Sequence, residues 1–253
     1  MSFWEKGPNT LKGLFEALFF VSACPACGGP PGPSGGLCPH CWDLIDQTAS
    51  HRILSEGVGS RPRMEAYAAC FYNNFIRDQF AQYKFMGKSY KQVIFQQILR
   101  AYLAKSPDFS RVRWIGYMPM RNRRALLRGY NPAQALAQAV AQEKGWALVH
   151  CLKKVREVAE QNKVDRKDRL VNVTGVYAAD LVQGGFLGSY WVKGREKRGR
   201  IPLARLQAAP GILLDDLLTT GRTMQEGLGP LQDLGLEVVG LCLATPAYPK
   251  EEA

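Results

Sequence analysis

Residues 212–224 read Ile-Leu-Leu-Asp-Asp-Leu-Leu-Thr-Thr-Gly-Arg-Thr-Met, and this segment restricts the fold more than any other. An apolar run that ends in paired carboxylates has the composition of a strand buried on both faces, as in a parallel sheet. Open α/β sheets collect their ligands at the carboxyl ends of such strands, where Asp215 and Asp216 fall. The loop Thr219-Thr220-Gly221-Arg222-Thr223 follows, and helical spacing then runs through Met224, Leu228, Leu231 and Leu234. Hydroxyls, a glycine that admits backbone amides to close range, and a helix N-terminus together form a phosphate cradle. Carboxylates suited to ribose hydroxyls, set beside that cradle, point to a phosphoribosyl site. The alternative is two solvated aspartates and an ordinary turn.

The rest of the chain repeats the strand–helix alternation. Ala66 to Tyr72, Arg113 to Met118, Ala147 to Leu152, Val173 to Ala178 and Val238 to Thr245 read as strands. Phe75 to Phe85 and Val93 to Leu103 carry apolar residues at helical spacing. Asn131 caps a further, Ala-rich helix that has Pro132 in its first turn and runs to about Gly145. The fold class is therefore α/β, a mainly parallel sheet flanked by helices. Two stretches depart from the rhythm. His51 to Arg63 reads as a linker, and Gln183 to Arg205 reads as a basic loop with Tyr190, Trp191, Lys193, Arg195, Lys197, Arg198, Arg200 and Arg205. That loop suits a mobile lid, contact with nucleic acid, or a solvated insertion.

Ahead of the sheet stand Cys24-Pro-Ala-Cys27 and Cys38-Pro-His-Cys41, with ten residues between the two pairs. Each pair turns two thiolates to one side, and two pairs supply the four soft ligands of a closed structural Zn²⁺ site. A redox dithiol or a disulfide pair is the alternative, and matched spacing favours zinc. His40 lies between ligands as a bystander. Cys70, Cys151 and Cys242 stand singly, as small buried hydrophobes. Residues 1–60 form an N-terminal helix, zinc ribbon and linker, and 61–253 the larger domain. Leu11 to Ala23 is apolar-rich, but Lys12 and Glu16 interrupt it, so it reads as a short amphipathic helix in a cytoplasmic protein without membrane insertion. A net charge of +11 favours polyanionic partners, phosphates and nucleic acid alike.

The 212–224 segment resembles the PRPP-binding signature of type I phosphoribosyltransferases. Zinc knuckles ahead of such a domain resemble the ComF family, the competence-associated, amidophosphoribosyltransferase-like proteins. Tyr72 to Arg77, Lys84 to Gly87, Arg124 to Asn131, Gln161, and Arg169 with Asn172 and Gly175 extend the resemblance over almost the whole chain. The chain departs from the family in Tyr117-Met118-Pro119-Met120, where a Pro-x-Pro turn is usual. It departs again at Pro132, where glutamine is usual, and in the long basic insertion.

The resemblance implies a type I phosphoribosyltransferase-like fold and PRPP as ligand. Asp215 and Asp216 would hold the ribose hydroxyls; Thr219, Thr220, Gly221, Arg222 and Thr223 would grip the 5′-phosphate. Arg121, Arg124 and Arg128 would meet pyrophosphate, since guanidinium forks match phosphate oxygens, with Mg²⁺ arriving with PRPP. Two functions stay open: a phosphoribosyltransferase acting on an undefined acceptor, and a non-catalytic PRPP- or nucleotide-binding protein that handles single-stranded DNA in competence.

Overall fold

The computed structural model describes residues 23–33, 35–48, 50–57, 62–106, 109–120, 129–155, 175–192 and 194–246. The chain divides into two compact units, Met1–Leu44 and Ile45–Ala253. The division falls ahead of the 60/61 boundary expected from the sequence. Among the described residues no helix is long and apolar enough to cross a membrane. The helix expected over 11–23 lies, except for Ala23, outside the described residues.

In the small unit, a turn at Pro25 to Cys27 carries the first cysteine pair. The second pair opens α1, Pro39–Asp43, with Cys38 as the N-cap and Pro39 in the first turn. Pro39 is suited to that place because the first helical N–H has no intrahelical partner to lose.

The large unit is built on an eight-stranded sheet with β1 (Ser50–Ser55), β2 (Met64–Phe71), β3 (Trp114–Tyr117) and β4 (Ala147–Val149). Its other members are β7 (Gly185–Val192), β8 (Arg195–Pro202), β9 (Gly211–Leu217) and β10 (Val238–Thr245). The order across the sheet is β1-β2-β10-β9-β3-β4-β7-β8. The run β2-β10-β9-β3-β4 is parallel, while β1 and the β7–β8 hairpin add antiparallel edges. Two short strands, β5 (Leu152–Lys154) and β6 (Tyr177–Ala179), form a separate antiparallel ribbon. The mixed, mostly parallel α/β architecture agrees with the sequence reading.

Burial explains the parallel centre. Ile212, Leu213 and Leu214 on β9 and Leu241, Cys242 and Leu243 on β10 are all fully inaccessible, as strands covered on both faces must be. Trp114 on β3 is the largest fully buried side chain. Its Nε1–H donates to the carbonyls of Leu206 and Ala209 at 3.2 and 3.0 Å. The ring occupies the space in front of Gly211, where a Cβ would lie 2.0 Å from it. Helix α2 (Asn74–Phe85) begins at Asn73, whose side chain accepts from the Ile76 N–H at 2.9 Å. Helix α3 is Gln92–Lys105 and α4 is Pro132–Lys144. Asn131 caps α4 by accepting from the N–H groups of Ala133 and Gln134, and Gly145 closes it in the left-handed region at φ 69°, as the sequence predicts. Short α5 (Leu203–Gln207) follows the hairpin, and α6 (Arg222–Gln232) follows β9.

Three expectations are corrected. His51 to Ser55, the start of the expected linker, belongs to strand β1, aligned by backbone pairing with β2 and by His51 stacked on Tyr67 with centroids 4.6 Å apart. The basic segment 183–205 is no irregular loop: it is the β7–β8 hairpin, paired from Gly185↔Pro202 to Val192↔Arg195. Phe186 and Ile201 anchor it in the core at 0 and 2 % exposure, which fixes its register while the charged side chains stay in solvent. The expected strand from Ala147 to Leu152 breaks at His150 and Cys151, dividing between the main sheet and the ribbon.

Candidate functional site

Chain connectivity creates a crevice where β3 meets β9. Strand β3 continues through α4 to β4 on one side, and β9 continues through α6 to β10 on the other. Crossovers that leave adjacent parallel strands in opposite directions open a gap at their carboxyl ends, the usual ligand position of such sheets. Here Tyr117 pairs with Leu214, and the Met118 N–H donates to the Leu214 carbonyl at 2.8 Å. Met118 to Met120 therefore face Asp215 and Asp216 across the gap.

A cavity of about 190 Å³ occupies this position, lined by Met118, Pro119, Met120, Asp215, Asp216 and Thr223, and on its other sides by Asn131 to Ala133, Lys154 and Tyr177. Asn131 ties the segment after β3 to α4: its Nδ2 donates to the Met118 carbonyl at 3.1 Å while its oxygen caps α4. The candidate carboxylates and Thr223 are thus brought together. Thr219, Thr220 and Gly221 lie on the adjoining loop and Arg222 opens α6, none of them on the cavity wall. Gly221 sits at φ 81° as N-cap of α6, a conformation that favours glycine. The Arg222 N–H donates to Thr220 Oγ1 at 3.4 Å, and Arg52 from β1 donates to the Thr219 carbonyl at 2.6 Å. Arg121, Arg124 and Arg128 lie outside the described residues, as do Gln161, Arg169 and Asn172.

The carboxylates differ in environment. Asp216 forms an ion pair with Lys84 at the end of α2, and Lys84 Nζ lies 4.3 Å from the Phe80 ring centroid. Asp215 Oδ1 accepts from the Asp216 N–H at 2.8 Å. Burial, with the charge of Asp216 beside it, pushes the Asp215 carboxyl up to about 7, against the opposing pull of that N–H and of Lys84. A carboxyl that exchanges its proton near neutrality can donate to a hydroxyl oxygen as well as accept from one.

Lys84, Arg52, Lys154 and Tyr177 carried no site role in the sequence reading. Lys84 stood only within a family-like patch, and its partner is 132 residues away. Lys154 and Tyr177 face each other across the β5–β6 ribbon, with Nζ 5.8 Å from the ring centroid. The Gly175 N–H donates to Glu226 on α6 at 2.8 Å, tying the ribbon to the helix that follows the loop.

In the small unit the sulfurs of Cys24, Cys27, Cys38 and Cys41 all lie within 4.8 Å of one another. Cys27 Sγ and Cys38 Sγ are 3.8 Å apart, the edge expected of a tetrahedron with metal–sulfur bonds of about 2.3 Å. Burial works against ionising Cys24, but the N–H groups of Cys38, Cys27 and Ala26 hold its thiol down to about 6. The Cys38 N–H lies 3.4 Å from the Cys24 sulfur. Cys41 moves the other way, raised by burial, by hydrogen bonds with the other three thiols and by the charge of Cys24. Four converging thiols cannot ionise together without a cation among them, and a divalent metal removes that conflict. The cluster fits a structural zinc ion, and His40 is not one of its members.

A scan against protein-family models returned no match, and a search of curated proteins found no similar sequence.

Proposed function

We propose that the large unit binds PRPP at the β3–β9 crevice and belongs to a ComF-like phosphoribosyltransferase group. The observation that carries this reading is one cavity lined by the paired carboxylates and Thr223, with the glycine-capped loop at the start of α6 adjoining it. Asp215 and Asp216 would hold the ribose hydroxyls, and the hydroxyls and N–H groups of Thr219 to Thr223 the 5′-phosphate. Asp215 and Asp216 would also be the residues to hold Mg²⁺ through water, and the ion would supply charge compensation for the pyrophosphate leaving group. In transfer, the bond from the anomeric carbon to pyrophosphate breaks and one to the acceptor forms. Arg121, Arg124 and Arg128 remain the proposed pyrophosphate ligands.

A calorimetric titration with PRPP, with and without Mg²⁺, tests the reading. Saturable binding is expected, lost in the Asp215→Asn, Asp216→Asn double variant while its thermal transition persists. Undiminished binding by that variant would remove the site assignment.

A second reading is favoured by the hairpin edge, where Arg195, Lys197 and Arg198 are exposed on β8. In it the protein is cytoplasmic, does not turn PRPP over, and handles single-stranded DNA during competence. Affinity for a single-stranded oligonucleotide would then fall linearly with the logarithm of salt, and no pyrophosphate would be released.

A further inference from the structure

A larger cavity, about 310 Å³, lies in the same unit away from the carboxylate pair. One wall is the face of α4 that carries Gln134 and Gln138, one turn apart; the floor is Leu148 of β4 and His150 just after it, with Leu187 and Ser189 of β7; the far rim is Glu196 and Arg198 of β8. Register explains the assembly. Leu148 pairs with Ser189 and Ser189 with Arg198, while the His150 N–H donates to the Leu187 carbonyl at 2.9 Å. Alternation along the strands then sets Leu148, Leu187, Ser189, Glu196 and Arg198 on one face, and the backbone bond of His150 to Leu187 keeps it beside them. Gly188 permits it, since a Cβ there would lie 2.2 Å from the Leu148 carbonyl oxygen.

The polar groups have definable hydrogen-bonding states. Burial pushes the Tyr117 phenol up to about 12, so it keeps its proton. Burial, and then the nearby charge of Arg198, lowers His150, so its imidazole is neutral. The 2.5 Å contact between Tyr117 Oη and His150 Nδ1 is then an O–H donating to the ring, which leaves the ring proton on Nε2. Arg198 Nε donates to Glu196 Oε1 at 3.1 Å. Ser189, only 4 % exposed, also bonds Glu196. The lining is therefore charge-balanced, with one cation against one anion and a neutral histidine. It offers mixed donors and acceptors beside two leucines.

We propose that this cavity binds a small neutral heterocycle with a lactam edge, such as an oxopurine or uracil-type base, free or as its nucleoside. A donor and an acceptor set side by side, as the guanidinium and carboxylate of Arg198 and Glu196 are, complement the adjacent C=O and N–H of a lactam. Two carboxamides match the same edge, and Leu148 and Leu187 provide flat apolar contact. A phosphate or free carboxylate would meet Glu196 and gains no unmatched positive charge from the lining. This assignment does not depend on PRPP binding at the other cavity.

The test is a calorimetric panel on the full-length protein: uracil, hypoxanthine, uridine, inosine, inosine monophosphate and inorganic phosphate. Saturable binding of at least one neutral lactam compound is expected, weakened about tenfold or more by Glu196→Gln, since the acceptor loses its charge and an amide N–H takes the place of one carboxylate oxygen. Leu187→Trp, at a half-exposed position, should block the cavity. Asp215→Asn should leave this binding unchanged, which separates it from the PRPP site. Absence of binding by every neutral compound would overturn the proposal. So would preference for the phosphate-bearing ligands, or binding indifferent to both Glu196→Gln and Leu187→Trp.

Discussion

The two units of this chain keep their shape by different physical means. In the small unit, a few buried residues such as Cys24, Leu37 and Cys41 accompany four converging thiols, and so small a core contributes little on its own. The large unit surrounds its parallel strands with side chains that water does not reach, from Trp114 to Leu243. One region is organised around four thiols positioned to hold a metal ion, the other around apolar burial. Their sequences differ accordingly: spacing of one residue type carries the first, and periodic apolar runs carry the second.

The largest expected effect breaks the first region alone. Cys41→Ser should abolish metal binding, an interaction worth on the order of 10 kcal/mol in small zinc modules. Elemental analysis should find one zinc per chain before the substitution and none after. Proteolytic cleavage between Cys24 and Leu44 should accelerate, while the cooperative melting transition of the large unit stays in place. Loss of that transition as well would show that the large unit does not stand on burial alone.

The complementary experiment is Trp114→Ala. Removing the indole takes away a fully buried side chain and its two carbonyl contacts, which costs about 3–5 kcal/mol in a packed core. Differential scanning calorimetry should show the main transition lowered, with zinc stoichiometry unchanged.

The contrast also accounts for what could be read from the sequence. Four cysteines in two matched pairs identify their own site, because the ligands are close along the chain. Asp215, Asp216 and Thr223 were legible for the same reason: one strand–loop–helix segment carries them all, and the structure brings them to one cavity. Lys84 and the Lys154–Tyr177 pair arrive from remote elements through sheet order, and nothing in their local pattern reports it. The hairpin shows the converse error. Its charge density suggested a loop, but pairing along a whole strand and the two anchors Phe186 and Ile201 outweigh composition. Local propensity is a weak guide to a strand whose partner supplies the hydrogen bonds.

A smaller effect is expected at Gly221, where the cradle meets α6. Any other residue there would be held at φ 81°, and its Cβ would lie 2.4 Å from Leu54 Cδ2. Gly221→Ala should lower stability by about 1–2 kcal/mol, the usual penalty of the left-handed region. PRPP binding should weaken by more than the modest stability change would suggest, because the loop amides are displaced. Parallel melting and titration curves separate the two quantities.

The finest distinction concerns pH, and it turns on Asp215. Its carboxyl is raised in the folded state from the ordinary 3.8 to about 7, by burial and then by the adjacent Asp216 charge. Below 3.8 the group is protonated in both folded and unfolded chains and does not affect the balance. Between 3.8 and about 7 the unfolded chain releases the proton and the folded chain retains it, so stability falls as pH rises through that window; above it the loss is complete and constant. Asp215→Asn is neutral throughout and escapes this loss. The melting temperature of the variant minus that of the wild type should therefore climb from about pH 4 to about pH 7 and then level off. The cysteine cluster of the small unit is the same in both proteins and cancels in the difference. A flat difference across the window would mean that Asp215 is as readily ionised as a solvent-exposed carboxyl, and that the asymmetry between the two aspartates is not a property of the folded site.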